Sequence, residues 1–350
     1  MLTPKQTTIP AVVRVKPDAL DRMGIYAERN AFTRVLLFFS QDLDASLVNR
    51  LATSLTSRNV DTVQQMAVTS ASFEEATACF NRLPVPVDAI IGFGGGKALD
   101  VAKYVAFLSR LPYFAVPTSL SNDGICSPQS SLTVGGRRRS LPSTMPHGVI
   151  IDTAICMGAP EILWHSGVGD LVAKFSAVTD WKLAFHAAGT PVDDFAALLS
   201  DSSVYQFMAR PTRDLEGTKL LGSALLLNGI SMAICGSSRP ASGSEHLISH
   251  ALDSISKRPR LHGLQVGVAT YLMSLIQNQH SESIAQLFEA TRFWDAIARD
   301  PFDRSEWMAA VRIAPSIKSD FYTILSSRDC VPEIENALHT DPNLKRCFQK

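Results

Sequence analysis

Histidine and aspartate side chains in the second half of the chain have the spacing of metal ligands. His246 and His250 lie four residues apart in SGSEHLISHALD, so a helix would place them on one face. His262 begins a very apolar segment, and Asp170 lies near the beginning of another. Two histidines and one carboxylate leave the other positions of a divalent cation open to water and substrate, as in catalytic metal sites. The alternative is an ordinary surface or core histidine pair.

A glycine-rich segment in the first half could bind a phosphate. VDAIIGFGGGKALDVAKYVAF has the pattern of a strand, a turn containing Gly92 and Gly94–Gly96, and a helix whose N-terminus would direct N–H groups at an anion. It lacks the GxGxxG spacing, and Lys97 precedes Ala98 rather than the Ser or Thr of a magnesium-binding P-loop. This pattern argues against an ATPase. The alternative is a tight turn without a ligand.

The elements that would position the glycine-rich segment alternate along the first half of the chain. Short apolar runs such as RVLLFFS, VDAIIGF and GVIIDT take turns with helix-like segments. This alternation predicts crossover units and a mainly parallel sheet, that is, an α/β Rossmann-like domain. Gly135 and Gly136 separate two short segments and predict a hairpin, with Arg137–Arg139 at its solvated tip.

From Met157 onward the pattern changes to long segments with apolar residues at three-and-four spacing, which predict helices. The 350 residues also exceed the usual size of one hydrophobic core. We therefore predict a nucleotide-binding Rossmann-like domain over residues 1–156 and an all-helical metal- and substrate-binding domain over residues 157–350.

Composition excludes several classes of partner. The 33 basic residues balance 33 acidic ones, which argues against nucleic acid and favours a small molecule. We find no signal peptide and no stretch approaching the roughly 20 apolar residues that span a bilayer, so we expect a cytoplasmic protein without membrane insertion. The six cysteines have no metal-binding spacing and are predicted to be free thiols. Apolar helices in the second half are compatible with a homodimer.

Five segments together resemble the successive motifs of the sn-glycerol-1-phosphate dehydrogenase family. They are GFGGGKALDVAK, PTSLSNDGICSP, GVGDLVAKFSAVTDW, SGSEHLISHALD and LHGLQVGVAT, and their order and spacing agree with that family. The family is grouped with the iron-containing alcohol dehydrogenases, the glycerol dehydrogenases and, more distantly, the dehydroquinate synthases. The resemblance implies a Rossmann-like domain, a helical domain and a cleft between them. It also implies a metal- and NAD(P)-dependent dehydrogenase that acts on a polyol phosphate in phospholipid biosynthesis.

The resemblance also implies roles for individual residues. Asp170, His246 and His262 would bind the metal, with zinc first and nickel or iron as alternatives. Asp123, Asp170 and His250 would contact the substrate. NAD or NADP would be held by two segments and one further serine: Gly94, Gly95, Gly96, Lys97, Ala98, Leu99, Asp100, then Thr118, Ser119, Leu120, Ser121, and finally Ser127.

These roles agree with the chemistry of hydride removal, because a secondary alcohol must lose its hydroxyl proton when hydride leaves its carbon. A divalent cation lowers the pKa of bound water from about 15.7 to about 7 in the best zinc sites and would acidify a bound alcohol similarly. Three alternatives remain. They are another polyol or alcohol dehydrogenase, a dehydroquinate synthase-like cyclase, and a nucleotide-binding protein without turnover. Whether Lys174 binds an anion or offsets the carboxylates also stays open.

Overall fold

The computed structural model describes residues 7–349, so residues 1–6 and 350 of the two predicted domains lie outside the described residues. The chain divides into two compact units. The first contains the residues up to Leu120 together with Gly124–Ala159. The second contains Ser121–Asp123 together with the residues from Pro160 onward.

The first unit is built on a six-stranded sheet in which every pairing is parallel. Eight strands occur in the described part of the unit: β1 (Val12–Lys16), β2 (Arg34–Ser40), β3 (Asp61–Val68), β4 (Ala89–Gly94), β5 (Tyr113–Pro117), β6 (Gln129–Val134), β7 (Arg137–Pro142) and β8 (Gly148–Asp152). The order across the sheet is β1-β8-β5-β4-β2-β3. The apolar runs form buried strands because helices cover a parallel sheet on both faces. The predicted α/β fold class is confirmed.

Helices alternate with these strands. They are α1 (Met23–Arg29), α2 (Ala45–Thr56), α3 (Phe73–Phe80), α4 (Gly96–Ser109) and α5 (Thr153–Gly158). Strands β6 and β7 form a separate antiparallel hairpin, with positive φ angles at Gly135 and Gly136 in the turn between them. The predicted hairpin is therefore confirmed. The arginines Arg137–Arg139 are exposed on β7.

The carboxyl ends of β4 and β5 are adjacent and carry the two segments predicted to bind the nucleotide. Gly94 is aligned with Pro117, and the Thr118 backbone N–H donates to the Gly94 carbonyl oxygen at 3.0 Å. Ligands of open α/β sheets bind at the carboxyl ends of the strands. The sheet therefore brings both predicted segments to the edge at which open α/β sheets generally bind ligands.

The second unit is helical. Its helices are α6 (Glu161–Ala188), α7 (Asp194–Met208), α8 (Leu215–Cys235), α9 (Ser244–Ile255), α10 (His262–Gln277), α11 (Ser281–Ala290), α12 (Phe293–Ala298), α13 (Arg304–Ile313), α14 (Ile324–Ser327), α15 (Val331–Thr340) and α16 (Pro342–Cys347). Among the described residues of this unit, the only strand-type pairing is an isolated bridge between Phe302 and Phe348. The prediction of a helical second half is confirmed.

Helices α6 and α10 approach each other closely because glycines lie at their contact. A Cβ atom on Gly169 would collide with the carbonyl oxygen of Gly263, and a Cβ atom on Gly267 would lie 2.9 Å from the Gly169 Cα atom. Asp170 and His262 are the direct sequence neighbours of two of these glycines. The close approach of the two backbones therefore positions both predicted metal ligands.

The expectation that no stretch approaches the length and apolar character of a membrane span was wrong. Helix α8 has 21 residues and is long and apolar enough to cross a membrane by length and composition. Of its most apolar window, 56% is buried inside the protein. A core helix of a soluble protein satisfies the same criterion, because it is apolar around much of its circumference. The six cysteines are free, as predicted.

Candidate metal and substrate site

Three predicted ligands converge from three helices of the second unit. Asp170 lies on α6, His246 on α9 and His262 at the beginning of α10. One potential ligand atom from each lies within 4.8 Å of the others. The Asp170 Oδ1 atom is 3.6 Å from His246 Nε2 and 3.7 Å from His262 Nε2. The structure thus brings together residues separated by up to 92 positions in the chain.

The outer nitrogen of each histidine has a partner of its own. His246 Nδ1 lies 2.8 Å from Glu245 Oε1, and His262 Nδ1 lies 3.2 Å from Ser249 Oγ. With the Nδ1 atoms engaged in this way, both Nε2 atoms are directed toward Asp170. Carboxylate and hydroxyl partners commonly orient histidine ligands of metals in this manner.

The environment of Asp170 fits a divalent cation. Its Oδ2 atom accepts a hydrogen bond from the Asp123 backbone N–H at 2.9 Å, whereas its buried Oδ1 atom has no hydrogen-bond partner among the described residues. Nitrogen or oxygen ligands about 2.0–2.2 Å from one ion in tetrahedral geometry lie roughly 3.3–3.6 Å apart. The separations around Oδ1 are close to that range, so an ion bound there would satisfy the otherwise unpaired oxygen.

Lys174 forms the cationic side of the cluster. Its fully buried ammonium lies 2.9 Å from Asp123 Oδ2 and 3.9 Å from Asp170 Oδ2, and it donates to the Ala241 carbonyl oxygen at 3.3 Å. Of the two roles left open by the sequence, these contacts favour compensation of the carboxylates. A buried ammonium bound to two carboxylates stays charged, because its burial is offset by their attraction.

The electrostatics of the cluster shift the pKa values of its two aspartates in opposite directions. Burial raises the pKa of Asp123, and the neighbouring Asp170 carboxylate raises it further. Burial also acts to raise the pKa of Asp170, but Lys174 and the imidazoles of His246 and His262 outweigh it and lower that pKa. The lowered pKa favours the ionised form of Asp170, which is the form that a metal requires.

His250, predicted to contact the substrate, lies one turn after His246 on α9. Its ring centroid is 6.3 Å from that of His246 and 5.8 Å from that of His262, and the His250 and His262 planes are inclined by 28°. The three imidazoles form one cluster. His250 is thus close enough to the ligands to contact a molecule bound beside them.

In the first unit, the glycine-rich segment forms the turn between β4 and α4. Gly94 has a φ of +135°, which only glycine adopts readily, and a Cβ atom there would collide with the Ser40 side chain. Gly95 is the N-cap of α4, and nothing lies within 4 Å of the position its Cβ atom would occupy. The turn therefore leaves space in front of a helix N-terminus, as a phosphate requires.

The remaining predicted nucleotide contacts in this segment differ in accessibility. Lys97 is exposed, whereas Ala98, Leu99 and Asp100 are buried. The Asp100 carboxylate lies 3.6 Å from Lys103 Nζ, and burial raises its pKa. Asp100 therefore has an internal partner, so any contact with a ligand has to share its carboxylate.

The segment after β5 contributes the other predicted nucleotide contacts. Thr118 is partly exposed, while Ser119 and Leu120 are buried. The Ser121 carbonyl oxygen accepts a hydrogen bond from Ser166 Oγ at 2.9 Å. The hydroxyl of Ser127 is buried and donates to the Gln129 carbonyl oxygen at 3.0 Å. Its use inside the unit was not apparent from the sequence.

Two further residues that support the candidate ligands were missed by sequence reasoning. Glu245 and Ser249 lie in the same SGSEHLISH segment as His246 and contact the ligand imidazoles. Their polar side chains beside candidate ligands were the available signal. Asp180 was missed too, and it had no such signal, because it lies ten residues from Asp170 on α6.

Comparison with known proteins agrees with this architecture. Residues 14–160 match the family of iron-containing alcohol dehydrogenases. The fold resembles glycerol dehydrogenase from Schizosaccharomyces pombe, with a TM-score of 0.79 at 18% identity over 99% of this chain and 92% of that one. It also resembles an iron-containing alcohol dehydrogenase from Thermotoga maritima, with a TM-score of 0.69 at 17% identity over 95% and 97% of the two chains. These similarities show that the chain has the fold of the iron-containing alcohol dehydrogenases.

Sequence relatives define the family more narrowly. The chain is 34% identical to a glycerol-1-phosphate dehydrogenase [NAD(P)+] of Aeropyrum pernix over 94% of this chain and 96% of the relative. A relative of the same name from Thermoplasma acidophilum is 32% identical over 91% and 92%. The chain belongs to the glycerol-1-phosphate dehydrogenase family. The predicted family and its class, the dehydrogenases, are thereby confirmed.

Proposed function

We propose that this protein is a metal-dependent, NAD(P)-linked oxidoreductase that interconverts sn-glycerol 1-phosphate and dihydroxyacetone phosphate. The observation that carries the proposal is the convergence of Asp170, His246 and His262 around one unpaired carboxylate oxygen. The names of the relatives supply the substrate and the cofactor, which the three ligands alone do not specify.

Asp170, His246 and His262 would hold the metal. When bound, a divalent cation supplies Lewis acidity, which favours loss of the alcohol proton and polarises the ketone in the reverse direction. Zinc is our first choice because two imidazoles and a carboxylate suit it, although nickel and iron accept the same ligands. Glu245 and Ser249 would keep the two ligand imidazoles oriented.

The neighbouring side chains would bind the substrate and move its proton. Asp123 contacts Lys174 through its carboxylate and Asp170 through its backbone, so its own oxygens are fixed where they can accept a hydrogen bond from a substrate hydroxyl. His250, beside both ligand imidazoles, would accept or relay the hydroxyl proton or orient the substrate.

The glycine turn supports the nucleotide part of the proposal. The absence of neighbours around Gly95 and the N-terminus of α4 would admit a diphosphate, and Thr118, joined by its N–H to Gly94, would line the same strand ends. Gly94–Asp100, Thr118–Ser121 and Ser127 remain our proposed cofactor contacts. We accordingly propose residues 1–156 as the nucleotide-binding domain and residues 157–350 as the metal- and substrate-binding domain.

We further propose that the protein is cytoplasmic and not inserted in a membrane, because its relatives are metabolic enzymes and much of α8 is buried. The exposed apolar side chains Phe195, Leu198 and Tyr205 on α7 are compatible with the homodimer inferred from the sequence. The proposed small-molecule substrate requires no macromolecular partner.

A substrate panel tests the proposal. Protein reconstituted with zinc, nickel or iron is assayed with NAD and with NADP on glycerol 1-phosphate, glycerol and other polyols, following the absorbance of the reduced nicotinamide. We expect turnover of glycerol 1-phosphate to exceed that of glycerol. Preference for an unphosphorylated polyol would favour another alcohol dehydrogenase. Absence of both metal binding and nicotinamide turnover would contradict the proposal and favour a non-catalytic protein.

A further inference from the structure

Two cationic side chains of the second unit contact the same aromatic ring. Neither cation forms an ion pair with a carboxylate among the described residues. The Arg239 guanidinium carbon lies 3.7 Å from the centroid of the Phe321 ring, and Lys318 Nζ lies 4.8 Å from it. Arg239 belongs to the segment between α8 and α9, and Lys318 and Phe321 to the segment between α13 and α14. We propose that Arg239 and Lys318 bind the phosphate group of the substrate. This inference rests on the proposed function.

Arg239 is buried beyond what its own hydrogen bonds explain. Only 4% of the residue is exposed, and its side chain makes one hydrogen bond, from Nη1 to the Tyr322 carbonyl oxygen at 2.6 Å. A guanidinium has five N–H donors and normally satisfies several of them when it is buried. Within residues 7–349, no carboxylate oxygen lies within 4.0 Å of its nitrogens. The remaining donors are suited to an oxygen-rich anion.

Lys318 is in a similar position. Its ammonium contacts the Phe321 ring, and no carboxylate of the described residues pairs with it. Two cations held on one ring repel each other, which costs free energy unless an anion joins them. In agreement, burial lowers the pKa of Lys318, the nearby charge of Arg239 lowers it further, and the more distant Glu245 carboxylate only partly opposes these effects. Burial likewise lowers the pKa of Arg239.

The segment that carries Arg239 leads directly to the candidate metal ligands. Ala241, two residues after Arg239, accepts a hydrogen bond from Lys174, the same ammonium that binds Asp123. The same segment continues into α9, where His246 follows Arg239 by seven residues. The charges of Glu245, which contacts His246, and of Asp180 act on Lys318 and Arg239 respectively, so both cations lie near the residues that support the candidate ligands.

Asp180 connects the segment that contains Lys318 and Phe321 to the beginning of α9. Its carboxylate accepts the Ser244 backbone N–H at 2.7 Å and the Ile324 backbone N–H at 2.8 Å. The beginning of α9 and the residues following Phe321 are thus joined through one buried side chain. This connection joins the segment of Lys318 and Phe321 to the beginning of the helix that carries His246.

The acidic groups near these cations already have other partners. Glu245 contacts His246 and accepts hydrogen bonds from Ser176 Oγ and the Gly243 N–H, both at 2.6 Å. Asp180 accepts the two backbone N–H groups described above. Neither carboxylate therefore neutralises Arg239 or Lys318 by direct contact. A phosphate monoester carries close to two negative charges at neutral pH, which suits a site with two cations.

The test compares phosphorylated and unphosphorylated substrates. Lys318→Met removes one charge from a side chain that makes no hydrogen bond to residues 7–349, so the fold is expected to survive. Charge-assisted hydrogen bonds correspond to about 10- to 100-fold in affinity, so KM for dihydroxyacetone phosphate should rise by about that factor. The kcat for that substrate should stay within about threefold of the parent, because the lost contact binds the phosphate equally in the ground state and in the transition state. The kcat/KM for dihydroxyacetone, which has no phosphate, should stay within the same range.

A direct measurement of anion binding accompanies the kinetics. The inhibition constant of inorganic phosphate against dihydroxyacetone, and its calorimetric Kd, should rise in Lys318→Met by the same factor. Lys318→Arg should restore both. Arg312→Met is the charge-matched control, since Arg312 is exposed on α13 and, within the described residues, does not contact the Phe321 ring. This variant should behave as the parent. Arg239→Lys tests the second cation while keeping its charge and should weaken phosphate binding less than Lys318→Met.

The outcomes are distinguishable. If the parent turns over dihydroxyacetone phosphate but Lys318→Met matches it in KM and in phosphate binding, this inference is overturned and the proposed function stands. Equal losses with both substrates would overturn it as well, because they would indicate a structural role. If the parent accepts only unphosphorylated polyols, the proposed function itself fails.

Discussion

At the scale of single residues, the two oxygens of Asp170 have different surroundings. Oδ2 accepts the Asp123 N–H, whereas Oδ1 faces the Nε2 atoms of His246 and His262 without a hydrogen bond. A buried acceptor without a hydrogen bond costs free energy, and a cation bound between this oxygen and the two Nε2 atoms would offset that cost. The geometry of this one carboxylate is the strongest local support for the metal.

Replacement of Asp170 should therefore remove the metal. Asp170→Asn keeps the size of the side chain but not the anionic ligand, and we expect substoichiometric metal after reconstitution and a fall in kcat/KM of at least about 100-fold. Metal content is measured by elemental analysis of the dialysed protein. Asp194→Asn, at an exposed position on α7, is the matched control and should bind metal normally. Full metal occupancy in Asp170→Asn would contradict the assignment.

Asp180 leads to a prediction about pH. Burial raises its pKa to about 6, with a further contribution from the charge of Glu245, compared with 3.8 for the ordinary group. Between these two values the folded state holds a proton that the unfolded state has released. The contribution of Asp180 to stability therefore falls as pH rises from about 4 to about 6, by an amount on the order of 3 kcal/mol.

The measurement is the free energy of unfolding between pH 4 and pH 7 for the parent and for Asp180→Asn. Asparagine does not titrate, so the parent should lose stability relative to the variant across this interval, and the two curves should run parallel above about pH 7. The variant loses one of two hydrogen bonds to Ser244 and Ile324, which lowers its curve without changing its pH dependence. Curves that are parallel from pH 4 upward would exclude the raised pKa.

At the scale of elements, the contact between α6 and α10 determines whether two ligands meet. Gly169 precedes Asp170 and Gly263 follows His262, so the glycines bring the backbones together at the position where the ligands project. A larger side chain at this contact would separate the helices. The spacing of the ligands thus depends on residues that are not themselves ligands.

Gly169→Ala should weaken both the fold and the metal site. Its Cβ atom would meet the Gly263 backbone, and overpacking of this kind costs about 1–3 kcal/mol. We expect a lower free energy of unfolding in urea together with a lower metal affinity by titration. Gly158→Ala in α5 is the control, because nothing lies within 4 Å of its added methyl group. If Gly169→Ala is destabilised but binds the metal with unchanged affinity, the helix contact does not determine the geometry of the metal site.

At the scale of the whole molecule, we expect the stability of the two units to depend on different ligands. The predicted metal ligands all belong to the helical unit, and the glycine-rich turn belongs to the unit with the sheet. An ion that binds only the folded state stabilises that state by mass action. Chelation should therefore act on the helices that carry the ligands.

Hydrogen exchange can test this difference. After removal of the metal, we expect faster exchange in the segments around Asp170 on α6, His246 on α9 and His262 on α10. Exchange in β4 and α4 of the sheet-containing unit should stay unchanged, because none of the residues of this unit is a proposed metal ligand. Re-addition of zinc should reverse the effect. Equal acceleration in β4 and α4 would show that the metal supports the whole chain rather than the helical unit.

Much of the architecture was predictable from local patterns. Alternating apolar runs and helical segments predicted the parallel sheet, because such strands need helices on both faces, and three-and-four spacing predicted helices after Met157. The glycine pair 135–136 predicted the hairpin. The apolar character of α8 was underestimated, since its periodicity is weak where it is buried on several sides.

The amino-acid sequence by itself determined the types of element, the family, and the identities of the candidate ligands, because each of these depends on residue type and short-range spacing. Only the tertiary structure decided which partners the polar groups take. Lys174 binds Asp123, Glu245 orients His246, the Ser127 hydroxyl is used internally, and Arg239 lies with Lys318 on one ring. These contacts join residues far apart in the chain, and burial makes each of them depend on how the helices pack.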